Sequence, residues 1–210
     1  MPLGLPSPPL LLITDRRQAS APLEDILAAV FSAGCRWASI REKDLSAAEQ
    51  IALARRLLPL ARRFGARLML HGDPELAMKA GLDGVHLPAG ADAVAARRIV
   101  GADRLVGISI HTPDEAARLD PAGVDYAVAG PAFATASKPG YGPFLGTAGI
   151  RAIGKAAKLP IIAIGSLGVA NAAEIMRAGA AGIAVMGGLM RASDPAQEVR
   201  ALLAEFESAS

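Results

Sequence analysis

The sequence Ile161-Ile162-Ala163-Ile164-Gly165-Ser166-Leu167-Gly168 is an apolar run that ends in a glycine-rich turn. Four successive apolar residues, three of them isoleucine, predict a strand that is buried on both faces of a parallel sheet. A helical pattern begins near Ala170, with Asn171 close to a capping position. A second unit of the same kind, Gly182-Ile183-Ala184-Val185-Met186-Gly187-Gly188, follows it. Strand, turn and helix in this order, and then repeated, indicate an α/β fold.

The same alternation extends outward through the rest of the chain. Apolar segments alternate with helical patterns, and pairs such as Ala33-Gly34 and Ala178-Gly179 end helices shortly before strands. The predicted strands are Leu10–Thr14, Trp37–Ile40, Arg67–Leu70, Gly84–Leu87, Leu105–Ile110, Asp125–Ala129, Ile161–Ile164 and a strand that begins at Gly182. This pattern predicts a single (β/α)8 TIM barrel over residues 1–210. The alternative, a doubly wound sheet, usually has fewer strands and a glycine-rich first turn, whereas Thr14-Asp15-Arg16 contains no glycine.

The composition excludes several classes of function. The net charge of +2 is too small to indicate a nucleic-acid partner. No apolar run reaches the ~18 residues that span a membrane, so we expect no membrane partner. The N-terminal segment Met1–Leu12 is interrupted by prolines and lacks a basic region, unlike a signal peptide. The single cysteine, Cys35, excludes an internal disulfide and is typical of a cytoplasmic protein.

The two glycine turns suggest a phosphate site. In a (β/α)8 barrel, phosphate commonly binds where the last two strands end, and the chain has Gly165-Ser166 and Met186-Gly187-Gly188 at those points. A strand, a glycine turn and a helix start together present backbone N–H groups to an anion. Alternatively, these glycines only form tight turns. Two such turns at the end of an eight-strand pattern favour the phosphate site.

Chemistry in such a barrel takes place at the C-terminal ends of the strands. The candidates there are Arg41, Lys43, His71, Asp73, His86, Ser109, His111 and Gly130, followed by Thr135, Ser137 and Lys138 in the long loop after the sixth strand. Cations and hydroxyls outnumber carboxylates among them, which favours a phosphorylated small-molecule ligand. His86 lies between Val85 and Leu87 and could instead be a core histidine, and Lys138 could close over a ligand or be exposed. No cluster has the spacing of a structural metal site.

Several of these motifs together resemble a known family. In order, they are Leu12-Ile13-Thr14-Asp15, Arg41-Glu42-Lys43-Asp44, Asp83-Gly84-Val85-His86-Leu87, Gly107-Ile108-Ser109 with His111-Thr112, Gly130-Pro131 through Thr135 and Lys138, Ala163-Ile164-Gly165, and Ala178-Gly179-Ala180-Ala181-Gly182. Along nearly its whole length the chain resembles the thiamine-phosphate synthase and TenI superfamily.

The resemblance implies a barrel that handles thiazole phosphate and thiamine phosphate. Synthase members join hydroxymethylpyrimidine diphosphate to thiazole phosphate and release diphosphate with the help of magnesium, whereas TenI members tautomerise the thiazole phosphate carboxylate. Transferred motif by motif, it assigns the diphosphate to Arg41 and Lys43, the reaction site to Ser109, Thr135, Ser137 and Lys138, and the thiazole phosphate to Gly165-Ser166 and Met186-Gly187.

The chain departs from the synthase pattern at the metal ligands. Where synthases usually have Asn-Asp after the third strand, it has His71-Gly72, so only neighbouring Asp73 could substitute. The second metal-binding Asp is also missing from its usual place after the fourth strand, and only Asp92 is nearby. Ser39 replaces the usual Gln before the Arg-Glu-Lys motif. Because Mg²⁺ needs hard oxygen ligands, these changes predict no resident cofactor, and Mg²⁺ only if synthase activity is retained.

Two of the departures are similar to TenI, namely His71-Gly72 and the segment Leu87–Gly90. However, Pro131 occupies the position of the TenI catalytic His. From these motifs we predict a TenI-like tautomerase, with thiamine-phosphate synthase as the alternative and a non-catalytic sensor of a thiamine-related phosphate as the second alternative. His71, Ser109 and Lys138 are the predicted catalytic residues, with His71 as the acid–base group. His86, Gly130 and Gly188 join the predicted ligand-binding residues, and a homo-oligomer is left open.

Overall fold

A computed structural model of the protein describes residues 4–134 and 143–209, and within them eight parallel strands form one closed barrel. The strands are β1 (Leu10–Ile13), β2 (Trp37–Ile40), β3 (Arg67–His71), β4 (Gly84–Leu87), β5 (Leu105–Ile110), β6 (Tyr126–Ala129), β7 (Ile161–Ile164) and β8 (Gly182–Val185). Each strand pairs with the next in sequence, and β8 pairs with β1 through the partners Leu10 and Ile183. The predicted TIM barrel is therefore confirmed.

Helices follow the strands around the outside of the barrel. In the described ranges they are α1 (Leu23–Ser32), α2 (Ala47–Arg63), α3 (Pro74–Ala80), α4 (Ala93–Val100), α5 (Pro113–Ala117), α6 (Gly146–Ala156), α7 (Ala172–Arg177), α8 (Gly187–Met190) and α9 (Pro195–Ala209). The four-residue helix α8 is absent from the sequence prediction, because its two leading glycines have low helix propensity.

Side chains alternate between the inside and the outside of the barrel wall, as they must along strands. Outward-facing aliphatic side chains pack against the helices and form the larger part of the core. The inside is filled by Leu11, Ile13, Trp37, Met69, Leu105, Tyr126, Val128, Ile162 and Ala184. Trp37 and Tyr126 meet there edge to face, with ring centroids 4.7 Å apart. These two large rings fill part of the barrel interior, which is a packed core.

Two buried or half-buried carboxylates fix the N-terminal ends of the strands. The Leu68 N–H donates to Asp83 Oδ2 at 2.8 Å, and the Val106 N–H donates to Asp125 Oδ2 at 2.8 Å. Asp125 also pairs with Arg97 at 2.5 Å. Because both carboxylates lie at the end of the barrel opposite the predicted site, their role is structural.

In the part of the chain that the structure describes, no helix has the length and apolar character needed to cross a membrane.

Candidate functional site

A cavity of about 330 Å³ opens at the C-terminal ends of the strands. This volume is at the lower end of the range for small-molecule sites. Twelve of the predicted site residues line it: Arg41, Lys43, His71, His86, Ser109, His111, Gly130, Gly165, Ser166, Met186, Gly187 and Gly188. Thr135, Ser137 and Lys138 lie outside the described residues. The fold thus brings the described candidates together, and their roles in binding and catalysis remain predictions.

The carboxylate between the two cations at the end of β2 fixes the backbone there. Glu42 is buried at 3% exposure, and its Oε1 accepts a hydrogen bond of 2.7 Å from the Thr14 hydroxyl. Thr14 Oγ1 in turn accepts a hydrogen bond of 3.0 Å from the Arg41 N–H. The Arg16 N–H donates to both Glu42 oxygens at 3.1 Å. Glu42 therefore joins the ends of β1 and β2, while Arg41 and Lys43 line the cavity.

We call the contacts of Glu42 with Thr14 and Arg16 the Glu42 clamp. The Arg16 side chain extends it at the protein surface. Its guanidinium donates to Glu42 Oε2 at 3.2 Å and to Asp44 Oδ1 at 2.7 Å. The hydrogen bond from Arg16 holds the pKa of the Asp44 carboxyl well below its usual range. Both carboxylates of the Arg-Glu-Lys-Asp motif are thus engaged in fixing the loop. The roles of Thr14 and Arg16 were not predictable from local sequence, because Thr14 is 28 residues and Arg16 is 26 residues away from Glu42.

His86 forms the floor of the cavity. Its Nε2 lies 3.0 Å from Ser109 Oγ, and its Nδ1 lies 3.2 Å from Tyr126 Oη. Burial lowers the pKa of His86 well below its usual value, and the nearby His71 ring lowers it further. The imidazole is therefore neutral near pH 7, with one nitrogen donating and the other accepting. The structure combines the two sequence interpretations, because His86 is 2% exposed yet contacts the candidate site residue Ser109.

His71 lies beside His86 at the end of β3. The two residues are paired in the sheet, and their rings stack with centroids 5.2 Å apart. His71 is half-buried and lines the same cavity as the glycine turns. It therefore meets the geometric condition for an acid–base group facing a bound ligand, although its role remains a prediction.

His111 lines the cavity, and its hydrogen-bond partner was not evident from the sequence. Its Nδ1 lies 2.6 Å from the Gly130 carbonyl oxygen. A carbonyl only accepts, so Nδ1 carries the hydrogen. Helix α5 is capped by the side chain of the next residue, Thr112, in a capping box with Glu115.

The turn after β7 is shaped by the neighbouring loop. Gly165 has φ +117°, and a Cβ there would lie 2.6 Å from the Ala132 nitrogen, so a larger residue would displace that backbone. Ser166 adopts φ 49°, which is uncommon outside glycine. Asn171 does not cap α7. Its side chain instead accepts from the Gly168 N–H and donates to the Ser166 carbonyl, both at 3.0 Å, and thereby braces the turn.

Two side chains that the sequence analysis did not identify, Arg191 and Gln18, lie beside the turn after β8. Gly187 and Gly188 open α8, where the first N–H groups have no acceptor within the helix. A Cβ on Gly187 would collide with the Arg191 guanidinium and with Gln18 Oε1. Arg191 and Gln18 both line the cavity. A cation shortly after the glycine turn was a usable signal for Arg191, whereas Gln18 is 173 residues away from it in sequence.

The cavity does not fit a hard divalent cation. No carboxylate of the described residues lines it, and residues 135–142 contain no Asp or Glu. Asp73 Oδ1 accepts from the Glu75 N–H at 2.7 Å and caps α3, and Asp92 Oδ1 accepts from the Ala95 N–H at 2.9 Å and caps α4. Neither of the two suggested ligands lines the cavity. Within the described ranges there is also no group of three or more His, Cys, Asp or Glu that could hold a metal ion.

Comparison with known proteins identifies the family. Residues 10–189 match the model of the family described as thiamine monophosphate synthase. The chain belongs to this family. A putative thiamine-phosphate synthase of Geobacter sulfurreducens is 41% identical to it over 199 residues, which cover 93% of this chain and 92% of the relative. The resemblance noted in the sequence is thereby confirmed, and the family places the protein in thiamine biosynthesis, which uses phosphorylated precursors.

Two further relatives extend the comparison. The Symbiobacterium thermophilum thiamine biosynthesis bifunctional protein ThiM/ThiE is 39% identical over 186 residues, which are 88% of this chain but only 39% of that longer protein. The structure of thiamine phosphate pyrophosphorylase from Pyrococcus furiosus superposes with a TM-score of 0.85 at 27% identity, covering 95% of this chain and 96% of that one. These names favour the synthase over the tautomerase that the sequence departures had ranked first.

Proposed function

We propose that the protein is a thiamine-phosphate synthase, which joins hydroxymethylpyrimidine diphosphate to thiazole phosphate. The observation that carries the proposal is the division of one cavity into two sides suited to anions. Arg41 and Lys43 line it at the end of β2, and the glycine turns line it at the ends of β7 and β8. Two such sides suit two phosphorylated substrates, with the diphosphate of one at Arg41 and Lys43 and the phosphate of the other at the glycine turns. The Geobacter sulfurreducens relative named putative thiamine-phosphate synthase, at 41% identity, supports the same reaction.

In this reaction the thiazole ring nitrogen forms a bond to the methylene carbon of the pyrimidine. The bond between that carbon and the diphosphate oxygen breaks, and its electron pair leaves with diphosphate. Negative charge therefore grows on the leaving group, and fixed cations at Arg41 and Lys43 would stabilise it. The Glu42 clamp fixes the backbone at Arg41 through the Thr14 hydroxyl before substrate arrives, which limits the reorganisation needed during the reaction.

The neutral His86–Ser109 pair suits a heteroaromatic ring. His86 and Ser109 are within hydrogen-bond distance of each other at 3.0 Å, and both line the cavity. Hydroxyl and imidazole groups can donate to ring nitrogens or accept from an exocyclic amine without adding charge. We assign them the orientation of the substrate ring. No step is assigned to Mg²⁺, because the residues that line the cavity do not fit it.

A TenI-like tautomerase is the second candidate, and the placement of His71 favours it. A half-buried imidazole that faces the cavity is suited to moving a proton on a thiazole ring. Against it, Pro131 lines the cavity where TenI members have their catalytic His, and proline cannot serve as a base. A non-catalytic sensor would use the same phosphate turns without turnover.

Parallel assays test these alternatives. The purified protein is incubated with hydroxymethylpyrimidine diphosphate and thiazole phosphate, with Mg²⁺ in one arm and a chelator in the other, and thiamine phosphate is measured by chromatography. A separate sample receives the thiazole phosphate carboxylate tautomer. We expect thiamine phosphate from the wild type and at least ~10²-fold less from Arg41→Gln. Tautomer conversion without thiamine phosphate would refute the synthase in favour of the tautomerase, and tight binding without either reaction would favour the sensor.

A further inference from the structure

Arg191 is a cation at the mouth of the cavity that none of the roles above uses. It directly follows α8, and its guanidinium lies over Gly187, with Nη2 only 2.8 Å from the point that a Cβ on that glycine would occupy. The residue lines the same cavity as Arg41 and Lys43. It therefore places a permanent positive charge beside the turn where we propose that the substrate phosphate binds.

The partners of Arg191 leave most of its donors unused. One guanidinium nitrogen donates to Gln18 Oε1, and Gln18 Nε2 donates to Asp15 Oδ2 at 2.6 Å. No carboxylate in the described part of the chain forms an ion pair with Arg191, although Asp194 and Glu198 line a shallow depression on its other side. A guanidinium has five N–H donors, and a neutral amide satisfies only one of them.

Arg191 differs from Arg16 and Arg97 in the charge of its partner. Arg16 and Arg97 each pair with carboxylates at 2.5 Å, so their charge is compensated within the protein. Arg191 is instead held by a neutral amide, which is itself held by Asp15. Such a tether fixes the guanidinium over the turn without neutralising it, and a dianion is the partner that would make full use of the remaining donors.

We infer that Arg191 is a ligand of the substrate phosphate and makes the site selective for the thiazole phosphate over the corresponding thiazole alcohol. This inference rests on the proposed function, because it takes the phosphate of that substrate as the ligand. The guanidinium can donate two parallel hydrogen bonds to a phosphate, while the backbone N–H groups of the turns contact its other oxygens. Gln18 is the positioning residue that aims the guanidinium.

Calorimetry with thiazole phosphate and with thiazole alcohol tests this role. Arg191→Gln should weaken binding of the phosphate about 10- to 100-fold, which is the usual weight of a charge-assisted hydrogen bond, and change binding of the alcohol less than about 2-fold. Arg191→Lys, which keeps the charge but loses the bidentate geometry, should fall between the two. The phosphate affinity of the wild type should also decrease with salt more steeply than that of Arg191→Gln.

The matched control is Arg98→Gln, which removes the same charge from the exposed outer helix α4. It should leave both affinities unchanged, and thermal melts should show that all variants are folded. Equal phosphate affinity in Arg191→Gln and wild type would overturn the inference while leaving the synthase activity intact. A wild type that binds thiazole phosphate no better than the alcohol would overturn the inference as well, and a lack of thiamine phosphate formation would separately count against the proposed function.

Discussion

Removing the Glu42 carboxylate should destabilise the barrel and also disturb Arg41 and Lys43, the cation pair at the end of β2. The Thr14 hydroxyl is fully buried, so Glu42→Ala leaves it without an acceptor, and the backbone N–H of the exposed Arg16 loses its acceptor as well. A buried donor without an acceptor costs about 1–3 kcal/mol, whereas the ion pair with the partly exposed Arg16 side chain adds less than about 1 kcal/mol. We therefore expect the free energy of unfolding to fall by about 2–4 kcal/mol.

Glu42→Gln separates the two effects. The amide keeps the shape and one acceptor oxygen, so Thr14 retains a partner and the loss of stability should be about half as large. Urea unfolding followed by circular dichroism measures both variants. Glu24→Ala is the control, because Glu24 forms an ion pair with Arg56 at the surface and should cost less than about 1 kcal/mol. If Glu42→Ala loses no more stability than Glu24→Ala, the clamp does not hold the β1 and β2 ends together.

The clamp also has a functional consequence. Arg41 is tied to Glu42 through the Thr14 hydroxyl, so loss of the carboxylate frees the backbone at the start of the cation pair. We expect the KM for hydroxymethylpyrimidine diphosphate to rise about 10-fold or more in Glu42→Ala, with a much smaller effect on binding of thiazole phosphate. An equal loss of affinity for both substrates would indicate general unfolding rather than a displaced cation pair.

Further predictions concern the barrel interior and the glycine turn. Gly107→Val places side-chain atoms where the Tyr126 ring lies. Urea unfolding should show that the free energy of unfolding falls by about 1–3 kcal/mol or more. An unchanged free energy of unfolding would mean that the ring is displaced at little cost. Burial lowers the pKa of His86 in the folded protein. As the pH falls below ~6.5, this histidine therefore takes up a proton in the unfolded chain before it does so in the folded protein. The free energy of unfolding should decrease from pH 7.5 to 5.5 in the wild type and should change less in His86→Gln. His71→Asn should lower any tautomerisation rate about 10²-fold with phosphate binding unchanged, and full activity would remove His71 from that step. Gly187→Asp adds a negative charge at the turn and should abolish binding of thiazole phosphate, so unchanged calorimetry would mean that the phosphate binds elsewhere.

The sequence predicted the fold well because its strands are short and apolar and alternate with helical patterns. Trp37–Ile40, Gly84–Leu87 and Leu105–Ile110 agree with the structure at both ends. Errors occur where local signals are weak. Helix α7 begins at Ala172 rather than Ala170, and the Asn171 side chain bonds to the preceding turn instead of to the first N–H groups of the helix. A four-residue helix that opens with two glycines has almost no local signature.

The candidate site was predictable to the extent that strand ends determine it. The rule that chemistry sits at the C-terminal ends of barrel strands selected His71, Ser109 and the glycine turns, and all of them line one cavity. The residues that hold the site in place were not predictable. Glu42 and Gln18 act through partners 28 and 173 residues away, and no local pattern in one sequence encodes such contacts.

The residues that could bind a metal do not determine the type of reaction. The positions of Asp73 and Asp92 in the sequence indicated that a metal site was weak, and the structure gives the reason, since both carboxylates cap helices. That observation bears on the metal but does not choose between a transferase and an isomerase. The names of the relatives favour the transferase, and the two sides of the cavity that suit anions are the physical argument for it.

The most direct test of this account is a phosphorus NMR time course of the purified protein with hydroxymethylpyrimidine diphosphate, first alone and then after addition of thiazole phosphate. A synthase should release free diphosphate only after the second substrate is added, in step with an equal amount of thiamine phosphate. Unchanged phosphorus signals over the whole course, with or without Mg²⁺, would contradict the central claim that the two sides of the cavity serve to join two phosphorylated substrates.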